Sequence, residues 1–215
     1  MTRIAISSEN YQGAAMDSAA SNKCSDTINI VTFGTSLTNQ NDWQRDLGND
    51  LSSIWKNNVE VAKVASGGKT SRWGLENIPR VVQFKPRIVL IEFVINDSDI
   101  RHQIWPKESL NNHTRIIHIL KSELPDVKIY LMTMSPALRL RRWLLRPFIN
   151  SYNAQYRSIS KRLGVGLIDI DLMWHSPDVD LTRAIPDGVH PTREAALQIT
   201  VPAISRVLLE DGCVR

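Results

Sequence analysis

The sequence predicts an α/β protein, a three-layer α/β/α sandwich around a five-stranded parallel sheet. Short apolar segments alternate with amphipathic helical segments, as in sheets whose parallel strands are joined by helices. The apolar segments are nearly continuous and rich in β-branched residues, which is typical of strands covered by helices on both faces. The predicted strands are residues 28–33, 58–65, 87–94, 127–134 and 165–170.

Amphipathic helices are predicted at residues 42–55, 74–84, 107–123 and 148–163. The first of them follows Asn41 and Asp42, and either side chain is a good helix N-cap. A last helix is predicted to begin after His190, with Pro191 in its first turn, where a missing N–H does no harm. Pro202 falls inside this helix and is predicted to kink it.

The alternation predicts the strand order 2-1-3-4-5 of a flavodoxin-like sheet, in which the chain reverses between strands 1 and 3. Ser36 follows strand 1 and Asn96 follows strand 3. Both are therefore expected to line the crevice at this switch point. Since no repeat or low-complexity linker divides the chain, residues 28–215 are predicted to form one domain, preceded by a flexible N-terminal extension, residues 1–27.

The composition is that of a globular domain, with 215 residues of which 42% are hydrophobic and 22% charged. No apolar stretch approaches the roughly 20 residues of a membrane helix, and the N-terminal extension lacks the apolar core of a secretory signal. A cytoplasmic location is the default expectation. Cys24 and Cys213 lie near opposite ends of the chain; a disulfide between them stays open, although two free thiols are favoured.

The net charge of +4 is concentrated in one part of the chain. Between Asp126 and Asp169 the sequence has no acidic residue and eight basic ones. This interval contains residues 137–148, which we call the arginine-rich segment. Either its apolar side packs on the core while its arginines are solvated, or it forms a rim that binds an anionic polysaccharide or a lipid surface. The second interpretation makes substrate-binding candidates of Arg139, Arg141, Arg142 and Trp143.

Four short segments, each placed after a predicted strand, contain the residues that could perform chemistry. They are Gly34–Thr38, Ser66–Ser71, Val94–Asp97 and Asp187–Pro191. Taken singly, each is an ordinary turn or helix-cap sequence. The carboxyl ends of parallel strands lie at one edge of a sheet. The four segments are therefore predicted to converge on a single site.

Together these segments supply the parts of a nucleophilic site. A serine hydroxyl is a weak nucleophile until a base removes its proton, and His190 is the best base candidate for Ser36. Asp187, three residues before the histidine, is placed to accept from the imidazole Nδ1 and leave Nε2 for the serine. The attack creates an oxyanion, whose candidate donors are the backbone N–H groups of Ser36 and Gly68 and the side-chain amide of Asn96.

The other histidines and three tryptophans have ordinary structural interpretations. His113 and His118 are five residues apart and do not share a helical face, so they make a poor metal pair, and no metal site is predicted. His102 is expected at the surface rather than against substrate, and His175 is a weaker base candidate than His190. Core packing is expected, with sugar stacking as the alternative, for Trp43, Trp73 and Trp105.

The four segments resemble the sequence blocks of the SGNH (or GDSL) hydrolases, a family of serine esterases and lipases. The matching blocks are Gly34–Leu37, Gly67–Ser71, Val94–Asp97 and Asp187–Pro191, of which the last is the most specific. The resemblance implies the SGNH hydrolase fold and ester hydrolysis through an acyl-enzyme, with no metal or organic cofactor. It implies a catalytic triad of Ser36, Asp187 and His190, and an oxyanion hole formed by Ser36, Gly68 and Asn96.

Two positions depart from the family's pattern. Thr35 stands where these hydrolases usually have Asp, and Val94 where they usually have Gly. The threonine hydroxyl is still expected to hydrogen-bond the local turn. The valine is expected to make the approach beside Asn96 bulkier and so to alter the shape of the substrate pocket.

The main functional prediction is a serine ester hydrolase for small acyl groups, with O-acetyl groups on a carbohydrate as the expected substrate. A second hypothesis is an acyltransferase that passes the same acyl group to a sugar hydroxyl. A third is a catalytically degenerate binding module, for instance a nucleic-acid binder that uses the arginine-rich segment. The full set of nucleophile, base and oxyanion residues, unaccompanied by a nucleic-acid-binding motif, argues against the third.

Overall fold

The computed structural model describes residues 27–176 and 178–212. Cys24, Cys213 and all of the predicted N-terminal extension except Thr27 lie outside the described residues. The strands are β1 (Ile28–Gly34), β2 (Val59–Ala65), β3 (Ile88–Glu92), β4 (Lys128–Met132) and β5 (Gly166–Ile168). They form one parallel sheet in the order β2-β1-β3-β4-β5, which confirms the predicted topology.

Helices cover both faces of this sheet. They are α1 (Ser36–Asn39), α2 (Trp43–Trp55), α3 (Ser71–Val82), α4 (Val94–Asp97), α5 (Pro106–Glu123), α6 (Leu140–Leu144), α7 (Ile149–Leu163), α8 (Ile170–Trp174), α9 (Leu181–Ala184), α10 (Arg193–Ala195) and α11 (Val201–Glu210). On one face α5 contacts α3 and α7, and on the other α2 contacts α11. The result is the predicted α/β/α sandwich. Among the described residues, no helix is both long and apolar enough to cross a bilayer.

The central strands β1 and β3 position the residues that follow their carboxyl ends. Every residue of β3 is buried, as is nearly all of β1. Their parallel register pairs Gly34 with Glu92, so the last residues of both strands lie side by side. A Cβ at Gly34 would lie only 2.5 Å from the Glu92 carboxylate. Glycine is therefore required where β1 ends, because the two strand ends approach so closely.

Strands β3, β4 and β5 end two residues earlier than the apolar pattern predicts. Phe93 and Val94 are fully buried although β3 stops at Glu92. Ile170 is also fully buried, although it already belongs to α8. Composition alone extends the strands because residues just beyond their ends stay in the core.

Two details of the predicted helix ends are wrong. Asp42 occupies the N-cap position of α2, but its left-handed backbone leaves no side-chain cap bond, and its carboxylate pairs with Lys63 at 2.6 Å. The C-terminal helical region begins at Arg193, two residues after Pro191, because Thr192 Oγ1 caps it by accepting from the Ala195 N–H.

The last helix was predicted to kink at Pro202, and the structure shows a change of helical winding just before this residue. Residues Ala196–Thr200 wind as a π-helix, with the Val201 N–H donating to the Ala196 carbonyl. Pro202 then lies in the first turn of α11, where its missing N–H is tolerated. The irregularity therefore takes the form of a wider helical turn that immediately precedes the proline.

Candidate active site

Ser36 lies in the turn directly after β1 and is the first residue of α1. Thr35 is the N-cap residue, and its Oγ1 accepts from the Leu37 N–H at 3.2 Å. Both neighbours of Ser36 are buried, while Ser36 itself is partly exposed. The tight strand-to-helix turn thus leaves the serine side chain accessible and buries the residues that hold it, and Thr35 hydrogen-bonds the turn as expected.

A continuous hydrogen-bonded chain joins Ser36, His190 and Asp187. Ser36 Oγ lies 2.9 Å from His190 Nε2, although the two residues are 154 positions apart. His190 Nδ1 lies 2.7 Å from Asp187 Oδ2. The structure therefore brings together the three residues predicted as nucleophile, base and orienting carboxylate.

The Asp187 carboxylate is held by its own turn. Its Oδ1 accepts from the backbone N–H groups of Val189 at 2.9 Å and His190 at 2.7 Å. Burial alone would raise the pKa of Asp187, but these bonds and the His190 side chain lower it to about 2. A charged carboxylate keeps the proton on His190 Nδ1, which leaves Nε2 as the acceptor for the Ser36 hydroxyl.

Two contacts outside the turn fix the Asp187–Pro191 segment. The Asn41 side-chain amide donates to the Pro191 carbonyl at 2.8 Å. The Leu138 N–H donates to the Gly188 carbonyl at 2.8 Å, so the arginine-rich segment also braces the histidine loop. Sequence reasoning assigned Asn41 to helix capping and missed this positioning contact.

Gly68 and Asn96, the predicted oxyanion donors, line the same cavity as Ser36. Gly68 has a φ of +69°, and a Cβ there would meet nothing within 4 Å. Its backbone conformation therefore favours glycine, while the space beside it is open. Asn96 Nδ2 donates to the Lys69 carbonyl at 2.8 Å. Since an amide nitrogen carries two hydrogens, the second remains available to a substrate oxygen.

Asp97 fixes the glycine loop against the end of β3. Its Oδ1 accepts from the Ser71 N–H at 2.8 Å and its Oδ2 from the Ser109 hydroxyl at 2.6 Å. Asp97 thus accepts from the first N–H of α3, a helix that begins 26 residues earlier in the chain. Its sequence context predicts only a local cap or turn residue. The one sequence feature that could have indicated this role of Asp97 is its position directly after Asn96.

A buried carboxyl group, Glu92, is hydrogen-bonded to the turn that contains Ser36, which we call the Ser36 turn. Its Oε1 accepts from the Thr35 N–H at 2.7 Å and from the Thr35 and Thr38 hydroxyls at 2.7 and 2.8 Å. Its Oε2 is buried and lacks a partner among the described residues. Burial raises the pKa of Glu92 to about 7, against the opposing effect of the threonine hydrogen bonds. The sequence pattern places Glu92 inside the predicted strand 87–94 and gives no sign of these contacts.

A cavity of about 540 Å³ opens onto the Ser36–His190 pair. Its lining residues include Ser36, Gly67, Gly68, Asn96 and His190. They also include His102 and three arginines that we call the cationic wall, namely Arg101, Arg142 and Arg146. Val189 contributes the only apolar side chain among the described residues that line this cavity, and no carboxylate lines it. Most side chains that line the cavity are therefore polar, and three of them are guanidinium groups.

The arginine-rich segment departs from its first interpretation. Its apolar side chains do not all pack on the core: Leu140, Trp143, Leu144 and Phe148 are exposed. Of the four predicted substrate-binding residues only Arg142 lines the cavity, and Arg139, Arg141 and Trp143 are not among its lining residues. The segment thus buries one arginine, Arg146, while exposing apolar groups.

Arg146 is only 3% exposed and was not among the predicted site residues. Its Nε donates to the Ile95 carbonyl at 2.7 Å and its Nη2 pairs with Asp99 at 2.9 Å. Arg101 also pairs with Asp99, at 2.6 Å. The Arg146–Asp99 pair therefore links the loop after β3 to the arginine-rich segment. In the sequence, the only sign of this cationic wall is the absence of acidic residues between Asp126 and Asp169.

Other predicted features have different outcomes. Val94 is fully buried and is not among the cavity-lining residues, so its expected effect on the pocket is wrong. His102 lines the cavity, whereas a surface position was favoured. His113 is buried, and its Nε2 lies 2.7 Å from the Tyr156 hydroxyl. Within residues 27–176 and 178–212, no group of three or more potential metal ligands is found.

The tryptophans divide between the core and the surface. Trp43 is 3% exposed, and its Nε1 donates to the Leu37 carbonyl. Trp73 is half-buried and contacts Phe33 and Phe93, with ring centroids 6.1 and 6.4 Å apart. Trp105 is exposed. Core packing, the expected role, therefore holds for Trp43 and Trp73 and not for Trp105.

The fold is similar to those of solved hydrolases. The lipase/acylhydrolase from Enterococcus faecalis matches with a TM-score of 0.75 and 22% identity, covering 86% of this chain and 96% of that one. A catalytic mutant of Axe2, an acetylxylan esterase from Geobacillus stearothermophilus, matches with a TM-score of 0.72 and 16% identity, covering 84% and 94%. A GDSL-like lipase from Bacteroides thetaiotaomicron matches with a TM-score of 0.68 and 19% identity, covering 85% and 88%.

No curated protein matches the chain in sequence. The model of the GDSL-like lipase/acylhydrolase family, however, matches residues 18–196. This match spans most of the chain and includes all four segments that converge on the cavity. The chain belongs to the GDSL-like lipase/acylhydrolase family.

Proposed function

We propose that this protein is a serine ester hydrolase that acts through an acyl-enzyme on Ser36. The observation that carries the proposal is the hydrogen-bonded chain from Ser36 Oγ through His190 to Asp187, with distances of 2.9 and 2.7 Å. Ser36 and His190 line a cavity that Gly68 and Asn96 also line. A nucleophile, an oriented base and oxyanion donors around one open space suit acyl transfer.

In the acylation step, Ser36 Oγ attacks the ester carbonyl carbon while His190 Nε2 takes the hydroxyl proton. The carbonyl π electrons move to oxygen, and the resulting oxyanion accepts from the free N–H of the Asn96 amide and from the backbone N–H groups of Ser36 and Gly68. Asp187 stabilises the imidazolium by charge. The tetrahedral intermediate collapses, and His190 gives its proton to the departing alcohol.

Deacylation reverses these roles with water as the nucleophile. His190 Nε2 removes a proton from water, whose oxygen attacks the acyl carbon of the Ser36 ester. The same donors hold the second oxyanion. Collapse returns the proton from His190 to Ser36 Oγ and releases the carboxylic acid. Protein residues and one water molecule therefore supply every group that the two steps require.

We propose a small acyl group, with O-acetyl groups on a carbohydrate as the substrate. A long acyl chain needs an apolar channel, whereas Val189 is the single apolar side chain among the described residues lining this cavity. The polar side chains that line the cavity suit a sugar, whose hydroxyls need hydrogen-bond partners. The acetylxylan esterase similar in fold provides an independent precedent for this chemistry on such a scaffold.

Two experiments test the proposal. A fluorophosphonate probe is expected to label wild-type protein at Ser36, with no labelling of Ser36→Ala and greatly slowed labelling of His190→Ala. With 4-nitrophenyl esters of increasing chain length, kcat/KM is expected to fall beyond the shortest acyl groups. Absence of labelling would favour a binding module instead. Appearance of acylated sugar rather than free acid, when an acceptor saccharide is added, would favour the acyltransferase.

A further inference from the structure

One wall of the cavity beside Ser36 is strongly cationic. Arg101, Arg142 and Arg146 line it, together with the partly exposed His102. Guanidinium groups remain protonated at any working pH. Hydrolysis of a neutral acetyl ester by Ser36, His190 and Asp187 uses none of these arginines, so their place in the same cavity calls for a separate role.

A single buried carboxylate balances part of this charge. Asp99 is completely buried and pairs with Arg101 at 2.6 Å and with Arg146 at 2.9 Å. Burial alone would raise the pKa of Asp99, but the Arg101 hydrogen bonds and the charges of both arginines lower it. Two guanidinium groups thus share one carboxylate, and Arg142, the third arginine of the cavity, pairs with no carboxylate among the described residues.

Arg146 also has an unused hydrogen-bonding group. The residue is 3% exposed, and its Nη1 is buried without a partner among the described residues. Buried donors in proteins are nearly always paired, because leaving one unpaired is costly. An orphaned guanidinium nitrogen on a cavity-lining residue is explained if a bound ligand completes its hydrogen bonding, with a small shift of the side chain.

The wall is held in place by the loops around it. The Ile100 N–H donates to the Leu145 carbonyl at 2.9 Å, and Arg146 Nε donates to the Ile95 carbonyl at 2.7 Å. Ile95 directly precedes Asn96, the candidate oxyanion donor. The cationic wall and the oxyanion side of the cavity are therefore parts of one connected structure rather than a solvated loop beside it.

We infer that Arg142 and Arg146, supported by Arg101, form a subsite for the carboxylate of an acidic sugar, so that the substrate is an O-acetylated acidic saccharide. This inference rests on the proposed ester hydrolysis at Ser36. Because an acetyl group carries no charge, the negative group belongs to the sugar. The planar fork of a guanidinium matches the two oxygens of a carboxylate.

A matched pair of substrates tests the subsite. Methyl glucoside and methyl glucuronoside, each acetylated at the same hydroxyl, differ in the carboxylate and not in the ester. Wild-type protein is expected to cleave the acidic sugar with a kcat/KM at least about tenfold higher, the size of a charge-assisted hydrogen bond. Raising the salt concentration is expected to shrink this ratio.

Substitutions then locate the preference. Arg142→Gln is expected to bring the ratio of the two kcat/KM values close to one. The control Arg141→Gln removes the same charge from the same short helix, outside the cavity, and is expected to keep the wild-type ratio. Arg146→Lys, checked by thermal unfolding for a folded protein, is expected to lower the ratio because a lysine cannot form the bidentate contact.

Three results would overturn the subsite: a wild-type ratio near one, a ratio that survives Arg142→Gln, or a preference confined to esters with a charged acyl group, such as hemisuccinates of a neutral alcohol. Fluorophosphonate labelling of Ser36 separates the two proposals. If Ser36 is labelled and both sugars are cleaved equally, only the subsite fails. If Ser36 is not labelled and neither sugar is cleaved, the ester hydrolase itself fails.

Discussion

Asp187 is hydrogen-bonded to His190, and Glu92 is hydrogen-bonded to Thr35, the residue before Ser36. The surroundings of these two carboxyl groups shift their pKa values in opposite directions. Burial alone would raise the pKa of Asp187, but hydrogen bonds from its own turn lower it to about 2. Burial raises the pKa of Glu92 to about 7. One group stays charged throughout the working range, whereas the other changes its charge near neutrality.

The number of hydrogen bonds does not explain this difference. Asp187 accepts three, from two backbone N–H groups and the His190 imidazole, shared between both oxygens. Glu92 also accepts three, all at Oε1, and its Oε2 has none from the described residues. The Asp187 side chain is 43% exposed, while Glu92 is 1% exposed. The difference in access to solvent therefore decides the sign of the shift.

The largest effect is expected from Asp187→Asn. The amide is nearly isosteric but uncharged, so it neither fixes the His190 tautomer nor stabilises the imidazolium. We expect kcat to fall by roughly 10³- to 10⁴-fold on a 4-nitrophenyl ester while the protein stays folded. Steady-state kinetics measures the fall in kcat, and thermal unfolding shows whether the variant stays folded. The exposed control Asp126→Asn should leave kcat unaffected; a loss below tenfold in Asp187→Asn would contradict the role of this carboxylate.

The next effect concerns Thr35→Asp. The family usually has Asp here, but in this chain the new carboxylate would lie where Thr35 Oγ1 sits, 2.7 Å from Glu92 Oε1. Two buried carboxylates cannot both be charged at this distance. We expect the free energy of unfolding at pH 8 to fall by about 2–4 kcal/mol, with a smaller loss at pH 5, where the pair shares a proton.

Glu92→Gln supplies the partner for a double-mutant cycle. Its amide can donate to an aspartate at position 35, so the combined variant is expected to recover most of the lost stability. Urea unfolding of the four proteins at pH 8 gives the coupling. Ser158→Asp, exposed on α7, controls for a new negative charge. Additive losses in the double variant would refute the direct contact between positions 35 and 92.

Glu92→Gln alone tests the raised pKa of this carboxyl. Between its ordinary pKa of 4.5 and the folded value of about 7, the folded state holds a proton that the unfolded state has lost. Stability from this group is therefore expected to fall as the pH rises through that window. Relative to the glutamine variant, the wild type should lose up to about 3 kcal/mol between pH 5 and pH 8.

Urea unfolding at several pH values measures this difference, and identical pH profiles for the two proteins would show that Glu92 has an ordinary pKa.

The contribution of Asp187 to stability must depend on pH in the opposite way. Since its folded pKa is lowered to about 2 from 3.8, its stabilising contribution is present above the ordinary value and lost below it. The two carboxyl groups therefore act in separate pH windows, which keeps their effects distinguishable.

The same contrast explains what the sequence could predict. Asp187 was predictable because its partners lie two and three residues away, so a local turn fixes the geometry. The sheet order was predictable because apolar periodicity and right-handed crossovers limit the topology. Glu92 was not, because its partner Thr35 is 57 residues distant. A glutamate inside an apolar strand gives no local signal of what it contacts.

Arg146, which lines the cavity, illustrates the same limit. Local pattern placed the arginines of residues 137–148 in solvent or on a rim, because arginine is rarely buried. Arg146 is nevertheless buried, since Asp99 and the Ile95 carbonyl, both about 50 residues away in sequence, satisfy part of its guanidinium. Long-range ion pairs decide such positions, and one sequence does not identify the partner.

The smallest expected effect is that of Thr38→Val, which removes one donor from Glu92 Oε1 without changing the shape of the side chain. A hydroxyl donor favours the charged carboxylate, so its loss should raise the pKa of Glu92 further. We expect the free energy of unfolding to fall by about 1 kcal/mol at pH 8 and by less at pH 5, where Glu92 is protonated in both proteins.

The matched control is Thr114→Val, whose hydroxyl donates to the Leu110 carbonyl at 2.8 Å, a partner that does not titrate. Its effect on unfolding should therefore be the same at both pH values. If Thr38→Val behaves like this control, the threonine hydroxyl is not interacting with a carboxylate whose charge changes near neutrality. If the losses diverge as the pH rises, the charge of Glu92 itself depends on the hydrogen-bond donors of the Ser36 turn. The turn and the carboxyl group beneath it would then form one titrating unit.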